Sequence, residues 1–303
     1  MATASPDARL SDDDVNRKGS TMENKPRKPW VAGLLSLIQP GLGQVYNGEV
    51  RKALPIYIIP ALLIPAMILC LHSGFIRIFL ATYAILGFAY YTFVFVDAVR
   101  TARQFKTQYA PKKYNKLITY IGIYFLIAIF SMSISTAVKT NVIQAYKFPS
   151  GSMEPTLLIG DHILVDRTQS AKNPKRGDLI VFEYPEDSSK DFIKRVVAVG
   201  GDTVEIKDKE LFVNGKTVKE PYAVHKETDL IPATINPRDN YGPQVVPKDS
   251  YFVLGDNRDR SYDSRFWGAV TKNKVKGTVK NLYWSWDKKN LLVRWDRIGM
   301  RIL

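Results

Sequence analysis

Two serines, Ser150 and Ser152, stand between Pro149 and Pro155 in the stretch KFPSGSMEPTLLIGDHILVD (Lys147–Asp166), just past the last long apolar run of the 303-residue chain. A serine hydroxyl is a poor nucleophile until a base takes its proton, so the chemistry of this turn depends on what base the fold can bring to it. The chain has three histidines. His72 sits in a short turn between apolar runs and His225 in an irregular, proline-rich stretch. His162 is near the serines in sequence, but alternation along GDHILVD puts Ile163 and Val165 on one face and His162 with Leu164 on the other. It reads as an ordinary strand residue.

A neutral lysine amine can do the same work, provided that burial among apolar side chains lowers its pKa. Arginine cannot, because it stays charged. The segment DFIKRVVAVGGD places Lys194 after Phe192-Ile193 and ahead of Val196-Val197, the setting such a lysine needs. Alternation then sends Arg195 to the opposite face, where water is expected to reach it. A third cluster, GDNRDRSYDSRFWG (Gly255–Gly268), follows the strand-like YFVLG. Asp263 and Arg265 are spaced to pair and fix this loop, and Ser261 is placed to hydrogen-bond a lysine amine. Spacing alone leaves open that Lys194 lies on a solvated face and that the Gly255–Gly268 charges form a solvated turn.

The elements that must hold these groups are of two kinds. Ala53–Leu71, Ile78–Val96 and Leu117–Val138 carry no charged residue, and at 1.5 Å per residue about twenty residues cross a bilayer core of about 30 Å. Fifteen of the 43 Lys and Arg residues, against seven of the 29 Asp and Glu, precede Val138, clustered at the ends of these runs as membrane flanks are. The net charge of +14 therefore points to membrane lipid and not to nucleic acid, for which no basic helix or aromatic-basic signature is present. Residues 1–29 read as a disordered cytoplasmic tail. Residues 30–48, broken at Gln39-Pro40-Gly41, read as a hairpin or re-entrant segment, and PGLGQVYNG resembles the turn of small two-helix membrane modules. Residues 30–138 are thus a membrane anchor, with the N-terminus cytoplasmic and everything after Lys139 on the extracytoplasmic side.

From Phe148 the pattern changes to short β-branched runs bounded by Gly, Pro, Asn and Asp, the mark of a mostly β domain, an antiparallel barrel or folded sheets. KDKE and NGK mark tight hairpins. Tyr222–Val246 is expected to hold little regular structure. Near the C-terminus Trp284, Trp286 and Trp295 suit either strand packing or a membrane interface. The one cysteine, Cys70, excludes an intrachain disulfide and a cysteine-rich metal site. No metal or other cofactor is expected.

PSGSMEPTLLIGDHILV, GDLIVFEYPED with FIKRVVAVGGD, and GDNRDRSYDSRFWG, in that order after a membrane anchor, resemble the signature blocks of bacterial type I signal peptidases. The resemblance implies a Ser-Lys endopeptidase in which Ser152 is the nucleophile and Lys194 the general base. Ser150 and the Ser152 amide would form the oxyanion hole, Ser261 would orient the lysine, and Asp263 and Arg265 would be paired structural charges. Phe148, Met153, Leu157, Ile163, Val165, Phe192 and Ile193 match positions lining shallow substrate pockets. It further implies preproteins with signal peptides as substrates, cut after small side chains at −1 and −3, by an enzyme in the cell membrane that works as a monomer. A self-cleaving repressor also uses a Ser-Lys pair, but would need a DNA-binding domain where this chain has spans. The rival from another class is a non-catalytic, membrane-anchored β domain that binds exported proteins. The apparent anchor, three spans and a hairpin, exceeds the one or two spans usual in that family.

Overall fold

A computed structural model describes residues 26–60, 76–105 and 109–302. They form two compact units, one built from the N-terminal stretch and Ile85–Ile129, the other chiefly from Phe130–Leu303.

The first unit starts with two short helices, α1 (Pro29–Ile38) and α2 (Leu42–Tyr46), joined through Gln39-Pro40-Gly41. Ten residues of α1 rise about 15 Å, half of a bilayer core. The glycines of PGLGQVYNG are required by close approach: Gly41 has φ +97° and a Cβ there would fall 2.5 Å from the Tyr57 ring, and at Gly43 it would fall 2.4 Å from the Ala32 carbonyl. Just after them Gln44 and Asn47 turn their amides onto the Val94 and Ala98 carbonyls at 2.9 and 2.8 Å. Helix α3 runs through 50–60. Two further helices, α4 (Ile76–Gln104) and α5 (Leu117–Asn141), are long and apolar enough to cross a membrane over Ala81–Gln104 and Leu117–Asn141. Leu117, Leu126, Ile129, Phe130 and Met132 on α5 are each more than 60% exposed, an apolar surface that water would not tolerate and a bilayer would cover.

Part of the span expected over 53–71 lies outside the described residues, as do Cys70, His72 and most of the expected N-terminal tail. Arg27, within the stretch read as tail, is 7% exposed and lies between the rings of Tyr46 and Tyr109.

The second unit is largely antiparallel sheet. Its strands are β1 (Ile143–Lys147), β2 (Asp161–Asp166), β3 (Leu179–Tyr184), β4 (Asp187–Val199), β5 (Thr203–Lys207), β6 (Glu210–Val213), β7 (Lys216–Thr217), β8 (Tyr241–Val245), β9 (Ser250–Leu254), β10 (Val270–Thr271), β11 (Val275–Asp287) and β12 (Leu292–Val293). The larger sheet has the order β1-β2-β11-β3-β4-β9-β10 with β12 beside β11, and the smaller β7-β6-β5-β8. Both orders are open, so of the two expected architectures the folded sheets are present and a closed barrel is not found among the described residues. Asp208-Lys209 and Asn214-Gly215 both have positive φ throughout, the type I′ signature of two-residue hairpins.

β4 lies between β3 and β9, and its residues Ile193–Ala198 are all buried. Contiguous burial means that both faces of the strand are covered, which overturns the expectation that Arg195 faces water: it is 2% exposed. Tyr222–Val246 also holds more structure than expected. It contains β8, and Val224 forms a parallel bridge with Asn257.

Candidate active site

The turn carrying the two serines is anchored at several points. Phe148 N–H donates to the Asp161 carbonyl at 2.8 Å and Leu157 N–H to the Met153 carbonyl at 2.9 Å. Buried Asp161 accepts from Leu158 N–H (2.8 Å), Ser285 Oγ (2.6 Å) and Arg297 Nη2 (2.6 Å), tying the turn to β11 and the C-terminal segment. On its other side Asn257 N–H reaches the Ser152 carbonyl at 3.1 Å and the Asn257 amide reaches the Gly151 carbonyl at 3.0 Å. The nucleophile candidate is thus held from both flanks by the backbone and by buried side chains.

From β4, Lys194 extends its Nζ to 2.8 Å from Ser152 Oγ. Lys194 is 4% exposed and Ser152 7%. Burial is the main cause that lowers the Lys194 pKa from 10.5 to about 8. Asp263 opposes the shift, Arg265 reinforces it and Asp256 opposes it more weakly. A lysine with that pKa is part neutral near physiological pH, when it can accept the serine proton.

Ser150 stands beside the nucleophile, its Oγ accepting from the Ser152 N–H at 3.2 Å. The two groups expected to donate to an oxyanion are therefore hydrogen-bonded to each other. Ser261 is buried, and its hydroxyl lies beside Asp263, where it helps to hold that carboxyl ionised. It packs against Gly255, where a Cβ would meet Ser261 Oγ at 2.1 Å and the Ser152 carbonyl at 2.5 Å. The bond from Ser261 to Lys194 expected from sequence is not formed in this arrangement.

The loop after β9 is built on buried charge pairs. Asp263 caps a one-turn helix, α6 (Ser264–Trp267), holds Gly255 N–H at 3.0 Å, and grips Arg265 through Nε and Nη2 at 2.8 Å each. Arg265 in turn donates to the carbonyls of Arg238 and Arg258, both at 2.7 Å. Burial alone would raise the Asp263 pKa, but the Arg265 guanidinium, followed by the Gly255 N–H, holds it below the usual carboxylate range. Two further participants escaped the sequence reading. Asp256 accepts both Arg195 Nε (2.9 Å) and Nη2 (2.8 Å), and also the Thr156 hydroxyl at 2.6 Å. Asn257 supports the nucleophile turn as described. The signal for the first was the unbroken apolar run around Lys194-Arg195: a strand covered on both faces must supply a partner for its arginine.

A groove of about 320 Å³ opens at the dyad. Phe148, Phe192 and Ile193 line it together with Ser150, Ser152 and Lys194, and Tyr146, Arg260 and Tyr262 add to its walls. Met153, Leu157, Ile163 and Val165, expected at the pockets, have no exposure and belong to the core cluster shared with Phe148 and Ile193; they are not among the residues lining this groove. His162 makes an edge contact with Tyr283 and no contact with the dyad.

The model of the family "Signal peptidase, peptidase S26" matches residues 117–284, more than half of the chain. Similar curated proteins include Signal peptidase I P of Bacillus subtilis subsp. natto, 36% identical over 157 residues that cover 51% of this chain and 84% of that protein. Signal peptidase I of Aquifex aeolicus is 36% identical over 200 residues, 49% of this chain and 78% of the relative. The probable signal peptidase I-2 of Synechocystis sp. is 36% identical over 166 residues, 52% of this chain and 71% of the relative. The match covers the last apolar helix, the serine turn, β4 and the charged loop, and on it the chain belongs to the signal peptidase family, peptidase S26.

Proposed function

We propose that this chain removes signal peptides from exported preproteins by acyl transfer from a Ser152-Lys194 dyad. The observation that carries the reading is the 2.8 Å contact between a buried lysine and a serine hydroxyl at the floor of an open groove. Neutral Lys194 takes the Ser152 proton as Oγ attacks the scissile carbonyl. The resulting ammonium then protonates the leaving amine, and a water activated by the same amine releases the acyl-enzyme. Rotation of the Ser150 hydroxyl away from the Ser152 N–H frees both as donors to the tetrahedral oxyanion, where each such donor is worth about 3 kcal/mol.

Asp263 with Arg265, and Asp256 with Arg195, act as positioning pairs: they fix the loop and turn on either side of the dyad. Ser261 orients Lys194 once the amine and its hydroxyl close on each other. Phe148, Phe192 and Ile193 give the groove apolar walls suited to small side chains at the cleavage site. Met153, Leu157, Ile163 and Val165 set the depth of those pockets from beneath.

The anchor fits the substrate. A signal peptide arrives as an apolar helix in the bilayer, so a membrane-tethered site meets it at raised effective concentration. In the second unit Trp295, Leu291 and Leu292 are each more than 60% exposed and Ile159, on the serine turn, nearly half, a surface suited to the membrane interface. The N-terminus is cytoplasmic, the catalytic unit extracytoplasmic, and one copy suffices for activity.

The test is cleavage of a preprotein carrying an Ala-x-Ala site by the full chain in detergent. Wild type cuts after the second alanine, Ser152→Ala and Lys194→Ala do not, and chelator has no effect. Cleavage by either variant would overturn the dyad. Binding without cleavage by wild type would favour the non-catalytic alternative.

A further inference from the structure

The first unit contains a cavity that the proteolytic reaction does not use. Its volume is about 780 Å³, and three separate stretches line it: Val45 with 48–52, Lys112 with Tyr114, and Ile123. Its walls are fixed by hydrogen bonds. The Gly48 carbonyl accepts both Lys112 Nζ at 3.0 Å and the Tyr114 hydroxyl at 2.9 Å. The Asn115 amide donates to the Val45 carbonyl at 3.1 Å while its Oδ1 accepts from the Tyr109 hydroxyl at 2.6 Å. Gly48 has φ +86°, and a Cβ there would lie 2.4 Å from that hydroxyl, so this wall admits no side chain. The cavity is a built feature and not a gap between loose segments.

Its lining is of two kinds. Val45, Val50 and Ile123 are apolar, whereas Arg51, Lys52 and Lys112 are cationic. Glu49 is the acid of the lining, and it is satisfied by Lys52 at 2.8 Å, which also faces Asp97 at 3.8 Å. Neither Arg51 nor Lys112 has a carboxylate partner among the described residues. Two uncompensated cations thus face a cavity with an apolar wall. Lys112 precedes the apolar helix that begins at Leu117, and Arg51 lies in the first turn of α3. A simple soluble anion would make use of the cations but not of the apolar wall. An anion attached to acyl chains uses both, and basic pockets at the ends of membrane helices favour anionic headgroups.

We propose that this cavity is a binding site for the phosphodiester headgroup of an anionic phospholipid, with Arg51 and Lys112 on the phosphate and the Val45, Val50 and Ile123 wall along the start of the acyl chains. The site belongs to the N-terminal module and does not depend on the peptidase reading.

The experiment is thermal unfolding of the full chain in neutral detergent with added phosphatidylglycerol, phosphatidylcholine or inorganic phosphate. Phosphatidylglycerol is expected to raise the midpoint of the wild type, and the other two are not. Arg51→Gln/Lys112→Gln is expected to weaken phosphatidylglycerol binding about 30-fold, the loss of two basic groups at a charged surface, while cleavage of a short soluble peptide is unchanged. Arg51→Gln alone, at an exposed residue, gives the same direction should the double variant not fold. Lys113→Gln/Lys116→Gln, neighbouring cations that do not line the cavity, should leave binding intact. An equal shift from inorganic phosphate would assign a free-anion site and overturn the lipid. Equal loss in the Lys113/Lys116 variant, or an unchanged shift in the Arg51 variants, would overturn the cavity as the site.

Discussion

Arg195 and Asp256 form a two-bonded ion pair, 2.9 and 2.8 Å, with side-chain exposures of 2% and 0%. The pair joins β4, which carries the candidate base, to the loop after β9, and through the Thr156 hydroxyl Asp256 reaches the serine turn as well. Arg195 also donates to the Gly177 carbonyl at 2.7 Å and stacks on Tyr222. Removing one member of a buried pair leaves the other charge without its partner, at about 3–5 kcal/mol. Asp256→Ala should therefore lower the unfolding free energy of the catalytic unit by that amount and impair cleavage. The double change Arg195→Met/Asp256→Leu should recover much of the stability, because two apolar groups need no partner. Denaturant unfolding of the three proteins checks both; equal stability of Asp256→Ala and wild type would remove the pair from the positioning scheme.

The pH dependence of cleavage follows from the state of Lys194. The amine must be neutral to accept the serine proton, and its pKa is depressed to about 8, chiefly by burial. Below that pH the lysine is mostly protonated and cannot act as base. We expect kcat/KM to rise about tenfold per pH unit below the apparent pKa and to level off above about 8. Lys194→Arg should be inactive at every pH, since a guanidinium does not shed its proton. A pH-independent profile, or measurable activity in the arginine variant, would assign the proton to another group.

The same depression carries a stability consequence of definite sign. The folded-state pKa of about 8 lies below the 10.5 of the unfolded chain, so the unfolded state binds more protons between those values and stability rises with pH across that window. Below about pH 8 the native state bears the whole cost of the buried ammonium, about 3 kcal/mol. Lys194→Met should thus abolish cleavage yet unfold at a higher denaturant concentration than wild type at pH 7. The difference should shrink as pH rises through 8 toward 10.5. A methionine variant less stable than wild type at pH 7 would mean that Lys194 is not buried as a strained charge.

Much of this site was readable in the residues themselves. Phe192-Ile193 and Val196-Val197 pointed to a buried Lys194, and Asp208-Lys209 and Asn214-Gly215 to the hairpins, because these features depend on neighbours in the chain. Arg195 was misjudged because alternation assumes one wet face, whereas β4 is covered by different clusters on its two sides: Ile193 in one, Val196 and Val197 in two others. The burial of Met153 and Leu157 and the bridge from Val224 to Asn257 depend on segments brought together across more than thirty residues. No local pattern encodes such contacts, and the proline-rich composition of 222–246 hid the strand within it. In the N-terminal module the break at Gln39-Pro40-Gly41 between two short helices was legible, while its cavity needed Lys112 and Tyr114 to be placed on the Gly48 carbonyl.

Gly255 offers the most direct test of how tightly the two serine-bearing segments are packed. A Cβ at this position would lie 2.1 Å from Ser261 Oγ, 2.4 Å from Ser261 Cβ and 2.5 Å from the Ser152 carbonyl. The serine hydroxyl could turn aside, but the Ser152 carbonyl is backbone and is held by the Asn257 N–H at 3.1 Å. Gly255→Ala should therefore displace the nucleophile turn from the 255–265 loop. A displacement of about 1 Å at a reacting group can lower the rate about 100-fold, so kcat should fall on that order. The overpacking should lower stability by only about 1–3 kcal/mol, leaving the unit folded at room temperature. Gly255→Ala/Ser261→Gly removes the side-chain part of the clash and leaves the backbone part. Because Ser261→Gly alone also removes the hydroxyl proposed to orient Lys194, that single variant is the reference: if the double variant cleaves as fast as Ser261→Gly, the Ser261 side chain alone makes the clash. If it is slower than Ser261→Gly while folding normally, it is the approach of Gly255 to the Ser152 carbonyl that sets Ser152 against Lys194.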